Sequence, residues 1–353
     1  MIHYDVIIVG SGPSSFMCSI NIKNKTVLLL ESNEKLGGKI EVSGNGRCNV
    51  TNNKPIDLFM NYILRNNKFL YTSLNNYGPK DIISFFENHN CPLKEEDNNR
   101  FFPVSNNSKD IVNVFIDIIN KSNKIEYRTN YLVEEIEFID DKYVVNNTFK
   151  CNKLVVATGG VTYPNQGTKG FGYDVAKQFG HTIKRPWATE SPLISEDLLI
   201  KEKELQGVTF KQHVINIYVD GKRKISTKDD ILITHFGLSG PGAILNSYFI
   251  KEKLFKSKRI DLEILLDEDS PSKALKVCNE NKLMFNIIDT KGFNTGVVTA
   301  GGINVKEIDP KTFESKVKDD LYFIGEVLDI NSNTGGYNIT TCFSEGYNCG
   351  INI

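Results

Sequence analysis

The sequence lacks both a strong net charge and long hydrophobic runs. Its 353 residues carry 42 Lys plus Arg against 43 Asp plus Glu, a formal net charge of −1. A chain so nearly neutral has no overall field to attract nucleic acid or anionic lipid, so either partner would need a local basic patch. The apolar segments, such as DVIIVG and KLVVATGG, fall far short of the roughly 20 residues of a membrane-spanning helix. We therefore expect no membrane association.

Cysteines are few and scattered. The seven residues, at positions 18, 48, 91, 151, 278, 342 and 349, form no CxxC pair and no Cys/His group with zinc spacing. We therefore expect no metal. An odd number of dispersed cysteines is typical of reduced thiols in a cytoplasmic protein. The first strand-like segment begins at residue 4 or 5, leaving no room for a secretory leader, so the expected location is the cytoplasm.

The order of predicted elements indicates an α/β fold with a β-rich insertion. Residues 4–9 form a β-branched run, a glycine turn and a helical pattern follow, and residues 27–30 form a second buried strand, which together predict the opening βαβ unit of a doubly wound sheet. Residues 56–66, 68–75 and 79–90 are predicted to be helical. From residue 191 the pattern changes to short alternating strands, with Asp220 and Gly221 as a hairpin turn.

This change predicts two domains. The first is discontinuous and comprises residues 1–190 and 295–353. The second, residues 191–294, is inserted into it and is rich in strands, with one or two helical turns near residues 268–290. The length of the chain agrees with this division, because 353 residues are enough for two or three domains.

A dinucleotide fingerprint follows the first strand. Gly10 permits a tight turn, Gly12 lets a pyrophosphate approach the backbone, and the helix that begins near Pro13 and Ser14 directs its positive end at that charge. The third glycine of the motif is Ser15, which is nearly small enough for the same close packing. Glu31 ends the second strand, where an acidic residue accepts hydrogen bonds from ribose hydroxyls.

A second candidate cofactor segment runs from residue 37 to residue 52. Residues 42–52 of this segment hold two glycines and several small hydrogen-bonding side chains, which suit a backbone that passes close to a flat polar ligand. A surface turn would explain the glycines and asparagines but not an arginine and a cysteine set between them. The candidate residues here are Gly38, Lys39, Ser43, Gly44, Gly46, Arg47, Cys48 and Asn49.

Six blocks in order along the chain resemble the BaiN/RdsA-like flavoproteins, also called the YhiN family. They are VSGNGRCNVTN (42–52), NNRFFPVSNNSKDIV (98–112), LVVATGGVTYPNQGTKGFGYDVAKQFGHTI (154–183), THFGLSGPGAIL (234–245), VTAGGINVKEIDPKTFES (298–315) and LYFIGEVLDINSNTGGYNITTCFSEGYNCG (321–350). The resemblance implies FAD on a glutathione-reductase-like, doubly wound domain with an inserted β-barrel-like domain. Typical members also carry a helical subdomain in the insert, here shortened to about residues 268–290.

The resemblance also implies cofactor contacts outside the fingerprint. Gly325 and Glu326 match the turn that binds the ribityl and pyrophosphate oxygens. The segment of Gly335, Gly336, Tyr337 and Asn338 matches the one that approaches the pyrimidine side of the flavin, where a helix start would stabilise negative charge on the reduced ring. The remaining expected cofactor contacts are Val133, Thr158 and Gly159.

Four residues are candidates for the chemistry. Cys48 could donate a proton as a neutral thiol or could be a small buried filler. Arg47 could pair with the pyrophosphate, stabilise an oxyanion or form a structural ion pair. His235 is more readily interpreted as a buried, satisfied histidine than as a catalytic one, and Tyr163, like Tyr337, could stack, donate or simply pack.

The predicted activity is FAD-dependent reduction of a conjugated C=C. One fingerprint is visible, so NAD(P)H is expected as a transient donor. Uridine in ribosomal RNA is favoured as substrate because residues 222–259 hold nine basic and three acidic residues, although such a segment is more often simply a solvated face. A steroid or bile-acid enone, a flavin-bearing RNA-binding or assembly protein, and a flavin oxidase remain alternatives. The oligomeric state is left open.

Overall fold

A computed structural model describes residues 1–164, 167, 169–277 and 280–353. The chain divides into two compact units, the first comprising residues 1–186 and 301–353, the second residues 187–300. These limits lie a few residues outside the expected insertion of residues 191–294.

The secondary structure alternates short strands and helices. In chain order the strands are β1 Ile2–Val9, β2 Val27–Leu30, β3 Thr51–Asn52, β4 Ile63–Arg65, β5 Leu93–Glu96, β6 Arg100–Pro103, β7 Ile125–Arg128, β8 Ile136–Ile139, β9 Lys142–Val145, β10 Phe149–Val156, β11 Ile183–Thr189, β12 Leu193–Ser195, β13 Thr209–Val219, β14 Lys222–Ile233, β15 Gly237–Ser239, β16 Ile260–Leu265, β17 Lys282–Thr290, β18 Val298–Ile303, β19 Leu321–Phe323 and β20 Asn331–Ser332. The helices are α1 Pro13–Asn21, α2 Gly38–Val42, α3 Ile56–Phe59, α4 Tyr71–Asn76, α5 Pro79–Asn88, α6 Ser108–Lys121, α7 Phe171–Gln178, α8 Leu198–Lys201, α9 Pro241–Ile244, α10 Ser247–Leu254, α11 Ser272–Val277 and α12 Tyr337–Asn352.

The first unit is built on a sheet of seven strands in the order β7-β2-β1-β10-β9-β8, with β19 also paired to β10. The strands β7, β2, β1, β10 and β19 are parallel. Residues 27–30 are buried throughout, as expected of a parallel strand covered on both faces. The predicted doubly wound α/β fold is confirmed.

The carboxyl ends of four parallel strands meet at one edge of this sheet. Gly10 follows β1, Glu31 follows β2, Thr158 lies just beyond β10, and Gly325 lies just beyond β19. Ligands of open α/β sheets bind at this edge. The fold therefore gathers segments more than 300 residues apart in the chain at one place.

The first and last helices of the first unit pack at very close range. A Cβ placed on Gly346 of α12 would lie 2.2 Å from the carbonyl oxygen of Ser14, and one on Gly350 would lie 2.5 Å from that of Cys18. On each helix the two residues are four positions apart and so share one face. Only glycine lets the two backbones approach so closely, so this contact fixes α12 against the start of α1.

The second unit is a closed barrel of six strands in the order β12-β15-β14-β13-β16-β17. Inward-facing aliphatic and aromatic residues such as Ile215, Ile217 and Phe285 fill it. Asp220 and Gly221 form the two-residue connection of the β13–β14 hairpin, as predicted, with φ angles of 48° and 77°. The barrel itself is the β-barrel-like insertion that the sequence predicts.

One helix prediction is wrong in part. Within residues 56–66, helix α3 ends at Phe59 and residues 63–65 form β4, because their backbone pairs with β20 of a distant segment. Near residues 268–290, where one or two helical turns are predicted, the helical part is α11, and residues 282–290 form barrel strand β17.

In the part of the chain that the structure describes, no helix is both long and apolar enough to cross a membrane. Within the same residues, no three His, Cys, Asp or Glu side chains are grouped to hold a metal ion.

The α1–α12 contact can be tested with Gly346→Ala. Alanine favours a helix interior over glycine by about 1 kcal/mol, but a Cβ 2.2 Å from the Ser14 carbonyl oxygen forces the helices apart. We expect a net loss of about 1–3 kcal/mol in the free energy of unfolding, measured by denaturant titration. Ile351→Ala, at an exposed position of the same helix, is the control and should unfold like the parent. A Gly346→Ala protein as stable as the parent would contradict the packing described.

Candidate cofactor and active site

The turn after β1 opens a space at the start of α1. Gly10 has a φ of 107°, and a Cβ there would lie 2.4 Å from the Ala157 carbonyl oxygen. Gly12 precedes α1 in an extended conformation, with no side-chain cap, and Pro13 occupies the first helical turn. A Cβ on Gly12 would meet nothing within 4 Å. The helix start is therefore open, positively polarised and able to accept a phosphate. Ser14 and Ser15 are buried behind it.

Glu31 lies at the end of β2 in a hydrogen-bonded pocket. Its Oε2 accepts a hydrogen bond of 2.5 Å from Ser11 Oγ, while its Oε1 accepts from the backbone N–H and the Nδ2 of Asn33 at 2.8 and 2.7 Å. Ser11 Oγ in turn accepts from the Gly37 N–H at 3.1 Å. Oε2 thus keeps acceptor capacity for a ribose hydroxyl.

Lys39 and Glu326 join the N-terminal and C-terminal parts of the site. Lys39, on α2 next to Gly38, forms an ion pair with Glu326. Its ammonium also donates to Thr162 Oγ1 at 3.2 Å and lies 5.8 Å from the centre of the Tyr163 ring. Lys39 and Glu326, both predicted to contact the cofactor, therefore lie together with Tyr163, beyond the carboxyl ends of the parallel strands.

The glycine loop after α2 has a strained backbone. Gly44, Asn45 and Gly46 all have positive φ, between 55° and 81°, and Cys48 has a φ of 56°. Ser43 Oγ donates to the Ile40 carbonyl oxygen at 2.7 Å and anchors the start of the loop. Strain of this kind persists only where surrounding structure enforces it, and it concentrates at ligand-binding positions.

Arg47 is held by protein groups. Its Nη2 forms an ion pair with Glu96, its Nε donates to Asn106 Oδ1 at 3.0 Å, and its guanidinium lies 4.2 Å from the centre of the Phe102 ring. The hydrogen bond from Arg47 holds the pKa of Glu96 below its ordinary value. The structure supports the structural ion pair among the roles considered for Arg47.

Cys48 points into the protein core. Its side chain has no exposed surface, and burial raises the pKa of the thiol to about 12. A group with no exposed surface has no access to a substrate, so this placement argues against Cys48 as the proton donor and for the small buried filler.

The C-terminal glycines place the start of α12 against the 49–52 segment. Gly336 has a φ of 94°, and a Cβ there would lie 2.7 Å from the Thr51 carbonyl oxygen. Asn52 Nδ2 donates to the Gly335 carbonyl oxygen at 3.1 Å. Gly336 provides no side-chain cap, so the N–H groups of the first turn are left for a ligand. This is a second open helix start in the first unit.

Three predicted residues have side chains engaged elsewhere. The Tyr337 ring is buried and stacks on Tyr62 with centres 4.5 Å apart. The Asn338 amide exchanges hydrogen bonds of 3.0 and 3.1 Å with the backbone of Ser332. Val133 is buried. At the start of α12, contacts with a ligand therefore fall to backbone groups rather than to the Tyr337 ring.

Two residues after β10 complete the strand edge. Gly159 has a φ of 73°, and the Thr158 hydroxyl lies 2.3 Å from the position of a Cβ on Gly172 of α7. His235 belongs to the second unit and is exposed, with its ring 5.0 Å from that of Phe236. The preferred interpretation of His235 as a buried histidine is therefore wrong.

Sequence reasoning missed Ser11, Asn33 and Thr162. Each acts through a hydrogen bond to a predicted residue, Glu31 or Lys39. Ser11 occupies a variable position of the fingerprint and Thr162 lies in a loop, so neither carries a recognisable pattern.

These groups fit FAD. The open start of α1 suits a pyrophosphate, Glu31 suits the adenosine ribose, and the open start of α12 suits the negative edge of a reduced flavin. The buried Asn49 Oδ1, 2.9 Å from a Cβ position on Gly336, has no hydrogen-bond partner within the described residues, and a bound donor would satisfy it. Fold and site together define an FAD-dependent oxidoreductase with an FAD-binding Rossmann-type domain.

The chain belongs to the family described as HI0933-like protein Rossmann domain, which it matches over residues 4–352. The resemblance stated from the sequence blocks is confirmed.

The chain is similar to curated proteins over nearly its whole length. It is 28% identical to the ribosomal RNA dihydrouridine synthase of Escherichia coli (strain K12), covering 99% of this chain and 98% of the relative. It is 24% identical to the 3-dehydro-bile acid delta(4,6)-reductase of Clostridium scindens, covering 97% of each. In fold it resembles the 3-ketosteroid-delta4-(5alpha)-dehydrogenase of Rhodococcus jostii RHA1, with a TM-score of 0.52 at 12% identity over 99% of this chain and 96% of that one.

Two glycine substitutions distinguish a position that is open for the cofactor from one that is closed by packing against the protein. Gly12→Ala adds a methyl group to open space at an ordinary φ of −79°, so we expect unchanged unfolding of the apoprotein but FAD binding weakened by about tenfold or more. Gly10→Ala adds it against the Ala157 carbonyl oxygen at a positive φ, so the apoprotein itself should lose stability. Fluorescence titration with FAD and thermal melts of both apoproteins give the comparison. Undiminished FAD affinity in Gly12→Ala would place the cofactor elsewhere.

Proposed function

We propose that the protein reduces uridine to dihydrouridine in ribosomal RNA, with NAD(P)H as the electron donor. The observation that carries the choice of an RNA substrate is a cluster of exposed cations at one end of the barrel. The full-length similarity to a ribosomal RNA dihydrouridine synthase supports it. A cytoplasmic location belongs to the same proposal.

The cluster, here called the basic end, consists of Lys222, Arg223, Lys224, Lys256, Lys258 and Arg259. All six side chains are exposed. The β13–β14 turn holds the two segments together, because Asp220 Oδ1 accepts hydrogen bonds of 3.0 Å from the N–H groups of Lys258 and Arg259. Arg259 pairs with Asp261 at 2.9 Å. The other five have no acidic partner within 4.0 Å among the described residues, so they are available to phosphates.

Two other basic residues of the 222–259 segment are already paired. Lys251 forms an ion pair with Asp289, and Lys253 lies 3.3 Å from a carboxylate oxygen of Glu252. The carboxylates compensate the charges of these two lysines, whereas the basic end keeps its net positive charge. Non-specific attraction to a phosphate backbone would therefore concentrate at the β13–β14 turn.

The chemistry requires two hydrogens on one C=C bond. FAD, when bound and reduced, supplies hydride to a carbon conjugated with a carbonyl group. The chain's own contribution is to bind the pyrophosphate at α1, to hold the ribose at Glu31 and to place the positive start of α12 near the flavin ring. A proton must also reach the neighbouring carbon, and the buried Cys48 is not assigned that role. With one dinucleotide fingerprint, NAD(P)H would bind transiently.

An enone of a steroid or bile acid is the second candidate substrate. The similarity to the 3-dehydro-bile acid delta(4,6)-reductase, over 97% of both chains, favours it. The same conjugated C=C chemistry would serve either substrate, so the difference lies in recognition. The basic end would not contribute to the binding of a steroid.

The substrate can be tested by mapping dihydrouridine in ribosomal RNA. Mass spectrometry of RNA from cells that lack the gene should show one or more uridines in place of dihydrouridines, restored by a plasmid copy. Identical RNA with and without the gene would refute the proposal. Reduction of a steroid enone by the purified protein would then favour the second candidate. Peroxide production without another acceptor would indicate an oxidase. A flavin that neither NADH nor NADPH reduces would indicate a binding protein.

The basic end can be tested by charge removal. Lys222→Gln combined with Lys258→Gln should weaken binding of a ribosomal RNA fragment roughly tenfold and lower the slope of log Kd against log salt by about 1.4, as expected for two lost phosphate contacts on a single strand. Lys203→Gln combined with Lys273→Gln removes two exposed lysines elsewhere in the same unit and should leave binding unchanged. Equal effects of the two pairs would rule out the basic end as the RNA contact.

A further inference from the structure

A buried carboxyl group lies behind the C-terminal turn of the FAD site. Glu345, in the middle of α12, is 1% exposed, and its Oε2 accepts a hydrogen bond from the N–H of Gly325. No sequence pattern pointed to it, and the chemistry of C=C reduction does not use it. A buried carboxyl group in a helix that carries the flavin-facing glycines requires an explanation.

Glu345 occupies a junction of three segments. Its neighbour Gly346 is the residue in close contact with Ser14 at the start of α1. Gly325 contacts the same serine, since a Cβ on Gly325 would lie 2.6 Å from Ser14 Oγ. Two adjacent residues of α12 thus contact both segments: Gly346 contacts the fingerprint helix, and Glu345 contacts the turn that carries Glu326.

The hydrogen bond is made at the first residue of that turn. Gly325 has a φ of 81°, a conformation that needs support from its surroundings, and its carbonyl oxygen accepts from the Leu328 N–H at 3.0 Å to close the turn. Glu326, the next residue, pairs with Lys39. The N–H of Gly325 faces a buried region, where an unpaired donor is costly.

We propose that Glu345 is a positioning residue for FAD, which holds the Gly325–Glu326 turn against the start of α1 by accepting the Gly325 N–H. The proposal rests on the binding of FAD at this site, and it is independent of the identity of the substrate. Glu345 itself is only 1% exposed, too little to contact the cofactor, so it acts through the backbone of the turn.

The protonation of Glu345 provides an independent readout. Burial raises its pKa to about 8, while the bond from the Gly325 N–H opposes that shift. Among the described residues, the titratable groups that interact with it include Cys342 and Cys349 on α12. Glu326, which is paired with Lys39, also interacts with Cys342, and Glu314 and Cys18 interact with Cys349. Since the folded chain holds this proton up to about pH 8 and the unfolded chain releases it near 4.5, the unfolded state binds fewer protons in this window and stability falls as pH rises through it.

Three variants test the proposal. Glu345→Gln keeps an acceptor oxygen and does not titrate, so it should bind FAD within about twofold of the parent, and its melting temperature relative to the parent should rise between pH 5 and pH 8.5. Glu345→Leu leaves the Gly325 N–H without a partner and should weaken FAD binding about tenfold. Asn348→Leu removes a different buried hydrogen bond of α12, 3.1 Å long, to the Ser73 carbonyl oxygen and serves as the structural control.

The decisive quantity is the difference in melting temperature between FAD-saturated and FAD-free protein. It should shrink in Glu345→Leu and remain at the parent value in Glu345→Gln and Asn348→Leu, even though Asn348→Leu melts at a lower temperature. If Glu345→Leu lowers both melting temperatures equally and binds FAD like the parent, Glu345 is only structural and the proposal is overturned. A parent chain that binds no FAD would instead refute the cofactor site itself.

Discussion

The site depends on the close contact between α1 and α12. Because Gly346 and Gly350 carry no side chains, α12 lies directly on the backbone of α1, and the two helices share a fixed position despite their separation in the chain. Each helix begins at a glycine without a side-chain cap. The contact therefore places two positively polarised helix starts in one unit, one suited to a pyrophosphate and the other to the negative edge of a reduced flavin.

The parallel sheet supplies the remaining groups. Its carboxyl edge brings Glu31 and the Gly325–Glu326 turn to the same side as the fingerprint. The ion pair between Lys39 and Glu326 then connects the N-terminal and C-terminal segments directly. These segments can meet although they are far apart in the sequence, because the inserted barrel forms its own compact unit and the two parts of the chain on either side of it form the first unit together. The basic end of that barrel adds a charged surface that the nearly neutral chain as a whole does not have.

Local signals in the sequence were sufficient for the parts that depend on local structure. The fingerprint, Glu31 at the end of β2 and the Asp220–Gly221 hairpin all arise from turn geometry and strand periodicity, and all could be predicted. Residues 63–65 could not, because their strand exists through pairing with β20. The directions of side chains could not be predicted either. Arg47 pairs with Glu96 and Tyr337 stacks on Tyr62, both partners far away in the sequence, and Cys48 is buried in the core. Glu345 carries no pattern because its burial and its hydrogen bond from the Gly325 N–H both arise from tertiary contacts.

The most direct test of the whole scheme is a single turnover without oxygen. The purified protein, with its FAD reduced chemically, is mixed with unmodified ribosomal RNA while flavin absorbance and dihydrouridine content are followed together. The scheme predicts that the oxidised flavin band returns in step with dihydrouridine, one uridine reduced per flavin. A flavin that stays reduced in the presence of the RNA, and returns to the oxidised form only when oxygen is admitted, would contradict it.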